Sequence, residues 1–202
     1  YRLAPEYKFP ASLEDICGVF KWIYVNADEY GFDTDNLFAV GDSAGANILA
    51  LYCLACTNGE YGAKYDFVIP QSYRPKAVAL NCGTYDMTAS RREMKGFMSE
   101  LMPDKGTAEE TDLLNVTKYI NKEFPPTFIM TCYGDFLKDQ APLLEERLKE
   151  LGIIYMSRLY GSEEEPLKHV FHCDIRMSEA KVCNDETCEF FEKQCLVSFI
   201  RV

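Results

Sequence analysis

The sequence predicts an α/β fold with a doubly wound, mostly parallel sheet. Short apolar runs typical of buried parallel strands occur at residues 37–40, 77–82, 127–133 and 153–160. Segments with helical periodicity occur at residues 12–30, 44–57, 141–150 and 179–200. Strands that alternate with helices of this length need right-handed crossovers, which make neighbouring strands parallel and place helices on both faces of the sheet.

Length and charge narrow the range of functions. The 202 residues are enough for one domain with a substantial core, and we expect a single folding unit over residues 1–202. The excess of 32 acidic over 21 basic residues gives a net charge of -11, which argues against nucleic-acid binding. No run of apolar residues reaches the roughly 18 that a membrane span needs, so we predict no membrane span.

The nine cysteines are predicted to be free thiols. Five of them lie inside apolar segments and are expected to be buried: Cys17, Cys53, Cys56, Cys82 and Cys132. An odd count with no signal peptide favours a reducing, cytoplasmic location. Cys183, Cys188 and Cys195 have neither the paired spacing of a zinc site nor a histidine nearby in sequence, so no metal site is predicted.

The first and last helices have recognisable boundaries or core residues. Ser12 to Asp15 resemble a capping box at the start of the first helix, and Gly31 is a candidate C-cap. Phe190, Phe191 and Phe199 are core candidates on the last helix. Residues 58–75 form a loop, and residues 87–124 form a helical excursion, with helices near 92–102 and 108–120, that is expected to line a substrate pocket.

The segment from residue 37 to residue 58 is a strand, a tight turn and a helix. Gly41 to Gly45 match G-x-S-x-G, the nucleophile-elbow pattern, in which a serine lies on a sharp turn between strand and helix. We expect Ser43 to have a strained backbone, and we expect glycine at positions 41 and 45 because a side chain there would clash. The dipole and unpaired N–H groups of the following helix favour negative charge near Ser43.

Candidate catalytic residues follow the predicted strands, because sites in such sheets form at the carboxyl ends of the strands. Ser43 follows the first strand, Asp86 the second and Asp135 the third, and His169 and His172 follow the fourth. A serine hydroxyl needs an imidazole to accept its proton and a carboxylate to orient that imidazole. The order Ser, Asp, His therefore predicts a catalytic triad.

Position favours some of these candidates over others. His169 lies where the loop at residues 161–168 turns back over the sheet, and we favour it over His172. Asp135 comes directly after its strand, whereas Asp139 lies a helical turn further on and is expected to be a capping or surface charge. Asp86 is the competing carboxylate, because it also follows a strand and could reach a histidine. The residues alone leave the choice between Asp86 and Asp135 open.

Motifs spread over nearly the whole chain resemble the hormone-sensitive-lipase branch of the α/β-hydrolases, the acetyl-esterase and carboxylesterase type. These motifs are YRLAPE at 1–6 followed by FPA at 9–11, GDSAG at 41–45, GDFLKD at 134–139 and H-x-F at 169–171. The resemblance implies that Ser43 is the nucleophile, Asp135 the acid and His169 the base, with the Ala44 N–H as an oxyanion donor. It implies no cofactor.

Two departures from the family pattern matter. Ala46 stands where the family commonly has a second glycine, a small change of little expected consequence. The family's His-Gly-Gly-Gly loop, which supplies the other oxyanion donors, lies upstream of YRLAPE and is absent here. We therefore expect a carboxy-terminal portion of a longer protein, impaired by itself, because losing one oxyanion donor costs on the order of 100- to 1000-fold in rate. The strand at residues 37–40 would then have an unpaired edge.

The sequence thus predicts a serine hydrolase that acts on small-molecule carboxylic esters of short acyl chain length, without a cofactor. A peptidase or amidase with the same triad is one alternative, because the elbow does not determine the leaving group. A non-catalytic ligand-binding protein on a hydrolase scaffold is the other. Retention of Ser43, Asp135 and His169 argues against the second alternative, and the missing oxyanion loop argues for it.

Overall fold

A four-stranded parallel sheet forms the centre of the described part of the protein. The computed structural model describes residues 1–67, 70–88 and 95–197. The strands are β1 (Phe38–Asp42), β2 (Ala77–Asn81), β3 (Thr127–Cys132) and β4 (Tyr155–Tyr160). They lie side by side in the order β1-β2-β3-β4, and every neighbouring pair is parallel. The predicted α/β fold with a parallel sheet is confirmed.

Helices of very different length connect and flank these strands. In chain order they are α1 (Ala11–Val25), α2 (Ala27–Tyr30), α3 (Ala44–Thr57), α4 (Gly59–Gly62), α5 (Lys95–Leu101), α6 (Ala108–Leu113), α7 (Val116–Tyr119), α8 (Gln140–Leu151) and α9 (Ser178–Val197). Short 3₁₀ turns lie at Thr34–Asn36, Gln71–Tyr73 and Phe171–Cys173. The predicted helix at 92–102 is observed from residue 95, and residues 92–94 lie outside the described part.

The two central strands, β2 and β3, are buried on both faces, as their apolar sequences predict, whereas the edge strands β1 and β4 are mostly half-buried. Successive strand residues point to opposite faces, so Val78 and Leu80 belong to one cluster while Ala77 and Ala79 belong to another. The first cluster joins the sheet to α1, α3 and α8 through Leu13, Leu49, Leu144 and their neighbours. The second joins it to α9 through Cys183, Phe190 and Phe191. Phe199, the third predicted core aromatic, lies outside the described residues.

Strand β1 lies at the edge of the sheet. Within the described residues it pairs with β2 alone, and the Val40 side chain is 55% exposed in the middle of the strand. The predicted unpaired edge is confirmed. An apolar strand with free N–H and C=O groups is a template for pairing with another strand.

The first helix differs from its prediction at both ends. It begins at Ala11 after Pro10, so Ser12 lies buried inside the first turn and makes no capping hydrogen bond. The predicted capping box is wrong, because a serine at the second helical position is too far along the chain to cap the first free N–H groups. The helix also stops at Val25, where Asn26 turns its side-chain amide back onto the Trp22 carbonyl. Gly31, the predicted C-cap of the first helix, has φ 68° and caps the separate short helix α2 instead.

The cysteines follow their predicted pattern of burial closely. Cys53, Cys56, Cys82 and Cys132 are buried and Cys17 is half-buried.

No helix among the described residues combines the length and the apolar character needed to cross a bilayer. The cytoplasmic location, the lack of nucleic-acid binding and the single domain stay predictions.

Candidate active site

The turn between β1 and α3 holds Ser43 in a strained conformation. Its φ of 55° and ψ of -118° are rare for a residue with a side chain. A Cβ atom on Gly41 would lie 2.5 Å from the Gly45 carbonyl oxygen and 2.9 Å from the Ala46 Cα, so only glycine fits there. The expected clash at Gly45 is wrong: apart from its chain neighbours and the nearby backbone of α3, a Cβ there meets no described atom within 4 Å.

Backbone contacts fix the position of this turn at the end of the sheet. The Ser43 N–H donates a hydrogen bond of 2.8 Å to the Asn81 carbonyl at the end of β2. Ala44 is the first residue of α3, so its N–H is one of the amides that a helix leaves without an internal partner. The positive end of the helix dipole therefore lies beside the Ser43 hydroxyl.

Asp135 lies just beyond β3 with its side chain fully buried. The hydroxyl of Thr131 donates to its Oδ2 at 2.9 Å, and the Leu137 N–H donates to its Oδ1 at 2.9 Å. The two bonds hold the carboxylate in one orientation. Contacts with the last turn of chain around the end of β3 therefore fix the position of the Asp135 side chain.

His169 follows β4 in a loop that packs against the segment after β3. The Gly134 N–H donates to the Leu167 carbonyl at 3.0 Å, and a Cβ on Gly134 would lie 2.4 Å from that oxygen. Only glycine therefore allows the two segments to approach so closely, which places His169 above Asp135. The exposed ring of Phe136 packs on the imidazole, with its centroid 4.6 Å away.

Ser43, His169 and Asp135 form a continuous chain of hydrogen-bond contacts. The Ser43 Oγ lies 2.9 Å from His169 Nε2, and His169 Nδ1 lies 2.7 Å from Asp135 Oδ1. A carboxylate can only accept, so Nδ1 carries the proton and Nε2 accepts from the serine hydroxyl. Asp135 lies 34 positions before His169 in the sequence, and Ser43 lies 126 positions before it. The three residues meet at the carboxyl ends of the strands.

The competing candidates lie in other contacts. The Asp86 carboxylate accepts hydrogen bonds from the Thr88 hydroxyl at 2.5 Å and from the Asn115 amide at 3.1 Å. Asp139 is exposed at the start of α8 and makes no side-chain capping bond there. His172 is buried, with its Nε2 2.7 Å from Asp42.

A cleft of about 430 Å³ opens above Ser43. Ser43 and Ala44 lie in its wall together with Asn47, and most of the remaining surface is apolar. The excursion between β2 and β3 contributes part of the apolar wall: Met87, Phe97, Leu101 and Leu114. The opening segment of the chain contributes another part: Tyr1, Leu3, Ala4, Tyr7 and Phe9. The shape suits a small, largely apolar molecule with one polar group at Ser43.

A family comparison decides the classification. A family model described as alpha/beta hydrolase fold matches residues 1–172, most of the chain. The chain belongs to the α/β-hydrolase fold family. The resemblance to the hormone-sensitive-lipase branch, inferred from the motifs, is confirmed.

Two curated relatives and one solved structure illustrate the similarity. The chain is 29% identical over 168 residues to versiconal hemiacetal acetate esterase of Dothistroma septosporum, covering 76% of this chain and 50% of that protein. It is 31% identical over 169 residues to an arylesterase of Saccharolobus solfataricus, covering 78% and 52%. Esterase B of Lactobacillus rhamnosis shares the fold, with a TM-score of 0.82 at 22% identity, over 96% of this chain and 64% of that one. The chain therefore spans about half the length of the curated relatives it matches.

Sequence reasoning missed the contacts that support this candidate site. The Thr131 hydroxyl that orients Asp135 is a strand residue with no motif around it. The pair of Asp42 and His172 was also missed, although Asp42 directly precedes Ser43. His172 Nε2–H donates to Asp42 and holds the pKa of that carboxyl below its usual range. Side chains alternate between the two faces of a strand, and this alternation is a signal that could have placed Thr131 on the same face as Asp135. No signal in the sequence indicates that Asp42 and His172 are in contact.

Proposed function

We propose that the protein is a serine hydrolase of small carboxylic esters. The observation that carries the proposal is the His169 imidazole, which lies between the Ser43 hydroxyl at 2.9 Å and the Asp135 carboxylate at 2.7 Å. A serine becomes a good nucleophile only when a base lies within hydrogen-bond distance and a third group orients that base. Both conditions are met here, at the opening of an apolar cleft.

The reaction follows from these positions. Ser43 Oγ attacks the ester carbonyl carbon while His169 Nε2 takes its proton, and Asp135 stabilises the imidazolium that forms. The Ala44 N–H, at the start of α3, donates to the oxygen that becomes negative. Collapse of the tetrahedral intermediate expels the alcohol, which takes the proton from His169. Water then attacks the acyl-enzyme by the same route, releasing the acid and restoring Ser43.

The cleft and the relatives favour a small ester substrate. The volume of about 430 Å³ is near the lower end of the range for small-molecule sites, and apolar side chains such as Phe97 and Leu114 line the same cleft as Ser43. The relatives named above are esterases. We therefore propose esters with short acyl chains, and no cofactor takes part in the mechanism.

Steady-state hydrolysis of p-nitrophenyl acetate and butyrate by the full protein that carries this chain tests the proposal. Ser43→Ala is expected to lower kcat on the order of a million-fold, because the residues of a triad act as a unit. Ser72→Ala is the matched control: Ser72 is exposed in the turn Gln71–Tyr73, so its loss is expected to leave the rate unchanged. Equal rates for Ser43→Ala and Ser72→Ala would overturn the proposal.

Amide substrates and the isolated chain complete the test. Preference for p-nitroanilides over the matching esters would favour a peptidase or amidase with the same triad. An absence of both activities in a folded protein would favour the non-catalytic binding scaffold. The impaired rate of residues 1–202 alone stays a prediction, which the ratio of ester hydrolysis rates between this segment and the full protein measures.

A further inference from the structure

A second cluster of polar side chains lies beside the elbow and plays no part in the proposed reaction. It joins Asp42 at the end of β1, Asn81 at the end of β2, and His172 and Cys173 in the turn after His169. His172 Nε2 lies 2.7 Å from Asp42 Oδ1 and 3.8 Å from Cys173 Sγ. A carboxylate oxygen, an imidazole nitrogen and a thiol sulfur thus lie within 4.8 Å of one another.

The hydrogen bonds inside the cluster do not satisfy its members. His172 Nε2–H donates to Asp42, so Nε2 cannot also accept from the Asn81 amide group, which faces it at 3.2 Å. Asn81 is buried, and its Oδ1 has no hydrogen-bond partner within the described part of the chain. His172 Nδ1 is buried and unpartnered in the same way. A buried polar atom without a partner is costly and calls for an explanation. A cation that bound the Asn81 oxygen would supply its partner, whereas an ion held through His172 Nε2 would leave Nδ1 unpartnered.

A half-turn of the Asn81 amide would exchange its nitrogen and oxygen, which ordinary structures do not distinguish. Its oxygen would then take the place of the nitrogen, 3.0 Å from Asp42 Oδ1 and 3.2 Å from His172 Nε2. In a tetrahedral zinc site with bonds of about 2.0 Å to nitrogen or oxygen and 2.3 Å to sulfur, neighbouring ligand atoms lie about 3.3 to 3.5 Å apart. The observed distances of 2.7, 3.0 and 3.2 Å are shorter than that spacing, and the distance of 3.8 Å to the sulfur is longer.

We propose that Asp42, Asn81, His172 and Cys173 bind a divalent transition-metal ion, with zinc as the preferred occupant. One sulfur, one imidazole nitrogen and two oxygens are a donor set that suits zinc rather than magnesium or calcium, which prefer oxygen alone. The Asp42 side chain is 39% exposed and Cys173 is exposed, so an ion can enter from solvent. This inference departs from the sequence-based prediction of no metal site.

Binding changes the protons of the cluster in a defined way. The Cys173 thiol loses its proton to solvent and coordinates as the thiolate, and the imidazole proton moves from Nε2 to Nδ1 so that Nε2 can coordinate. The ion then links the residue before Ser43 to the turn that follows His169. We expect it to stabilise the folded protein, because an ion that binds the native state alone raises the free energy of unfolding.

The test is a metal titration of the full protein after removal of bound metal with a chelator. Zinc is titrated in competition with a chromophoric chelator, and one zinc per chain is expected. Cobalt added to the same protein is expected to give a thiolate-to-cobalt charge-transfer band in the near ultraviolet. Cys173→Ser is expected to abolish that band and to weaken zinc binding at least tenfold. Neither readout depends on ester hydrolysis, so failure here is distinct from failure of the proposed function.

Two further variants keep the outcome decisive. Cys188→Ser is the matched control, because Cys188 is also an exposed thiol but lies on α9, and it is expected to bind zinc like the parent protein. Equal affinities in Cys173→Ser and Cys188→Ser, or cobalt binding without a thiolate band, would overturn the proposal. Cys82, Asp135 and His169 form a second possible ligand group. Loss of zinc binding in Cys82→Ala but not in Cys173→Ser would place the ion there and would also overturn it.

Discussion

Gly41→Ala is expected to damage both the stability and the activity of the protein. The new Cβ would lie 2.5 Å from the Gly45 carbonyl oxygen, 2.7 Å from the Gly45 carbonyl carbon and 2.9 Å from the Ala46 Cα. All three atoms belong to the backbone of the elbow and the start of α3, so no side chain can move aside. The backbone must shift instead, and Ser43 moves with it.

The size of the effect follows from the known cost of overpacking. We expect the free energy of unfolding to fall by about 2 to 3 kcal/mol. At about 2 to 4 °C per kcal/mol for a protein of this size, the Tm falls by about 4 to 12 °C. A displacement of Ser43 by about 1 Å is expected to lower kcat on the order of 100-fold. Thermal denaturation and p-nitrophenyl acetate hydrolysis measure the two effects on the same sample.

Gly18→Ala is the control for this substitution. Gly18 lies within α1, where a Cβ meets no described atom within 4 Å, so alanine should raise the helix stability by roughly 0.5 to 1 kcal/mol and leave kcat unchanged. A parent-like Tm and kcat in Gly41→Ala would refute the role assigned to Gly41 in the elbow.

Further substitutions test the acid, the core and the thiols. Asp135→Asn is expected to lower kcat for ester hydrolysis on the order of 10⁴-fold because the imidazole loses its orienting carboxylate, whereas Asp86→Asn should leave kcat within about threefold. A larger loss of kcat in Asp86→Asn than in Asp135→Asn would make Asp86 the acid. Leu144→Ala removes a fully buried side chain from the core between α8 and the sheet, so the free energy of unfolding measured by chemical denaturation should fall by about 2 to 5 kcal/mol. A fall of less than about 0.5 kcal/mol would contradict that packing. Burial raises the pKa of the Cys56 thiol to about 11, so iodoacetamide at pH 8 should modify the exposed Cys188 and leave Cys56 unmodified until the protein unfolds. Peptide mass spectrometry measures the modification of each thiol.

The strands and the elbow were predictable because their signals are local. Each strand is a short apolar run, and Gly41 and Ser43 lie within the same few residues as the turn they build. Capping was less predictable, because many serines and threonines precede a glutamate. The pattern predicts a cap at Ser12, which lies inside α1, whereas Thr107, which the sequence pattern alone does not single out, forms a capping box with Glu110 at the start of α6.

The choice among site residues needed more than the pattern of strands. Asp86 and Asp135 both follow strands, and only the resemblance to a family separated them; the position of Asp135 beside His169 is the one the resemblance implied. The cluster of Asp42 and His172 was beyond sequence reasoning. Its members come from separate parts of the chain, and the parallel sheet brings them together only after folding.

The most direct test of the account is to map a covalent phosphonate inhibitor on the full protein by mass spectrometry. A p-nitrophenyl alkylphosphonate transfers its phosphonyl group to a serine that a neighbouring base has activated much faster than to an ordinary serine, and it releases p-nitrophenolate. We predict one adduct per chain, on the peptide that contains Ser43, with loss of ester hydrolysis in proportion to labelling. Neither adduct nor hydrolysis should be detectable in Ser43→Ala. An unlabelled parent protein, or an adduct and hydrolysis that persist in Ser43→Ala, would contradict the assignment of Ser43 as the nucleophile.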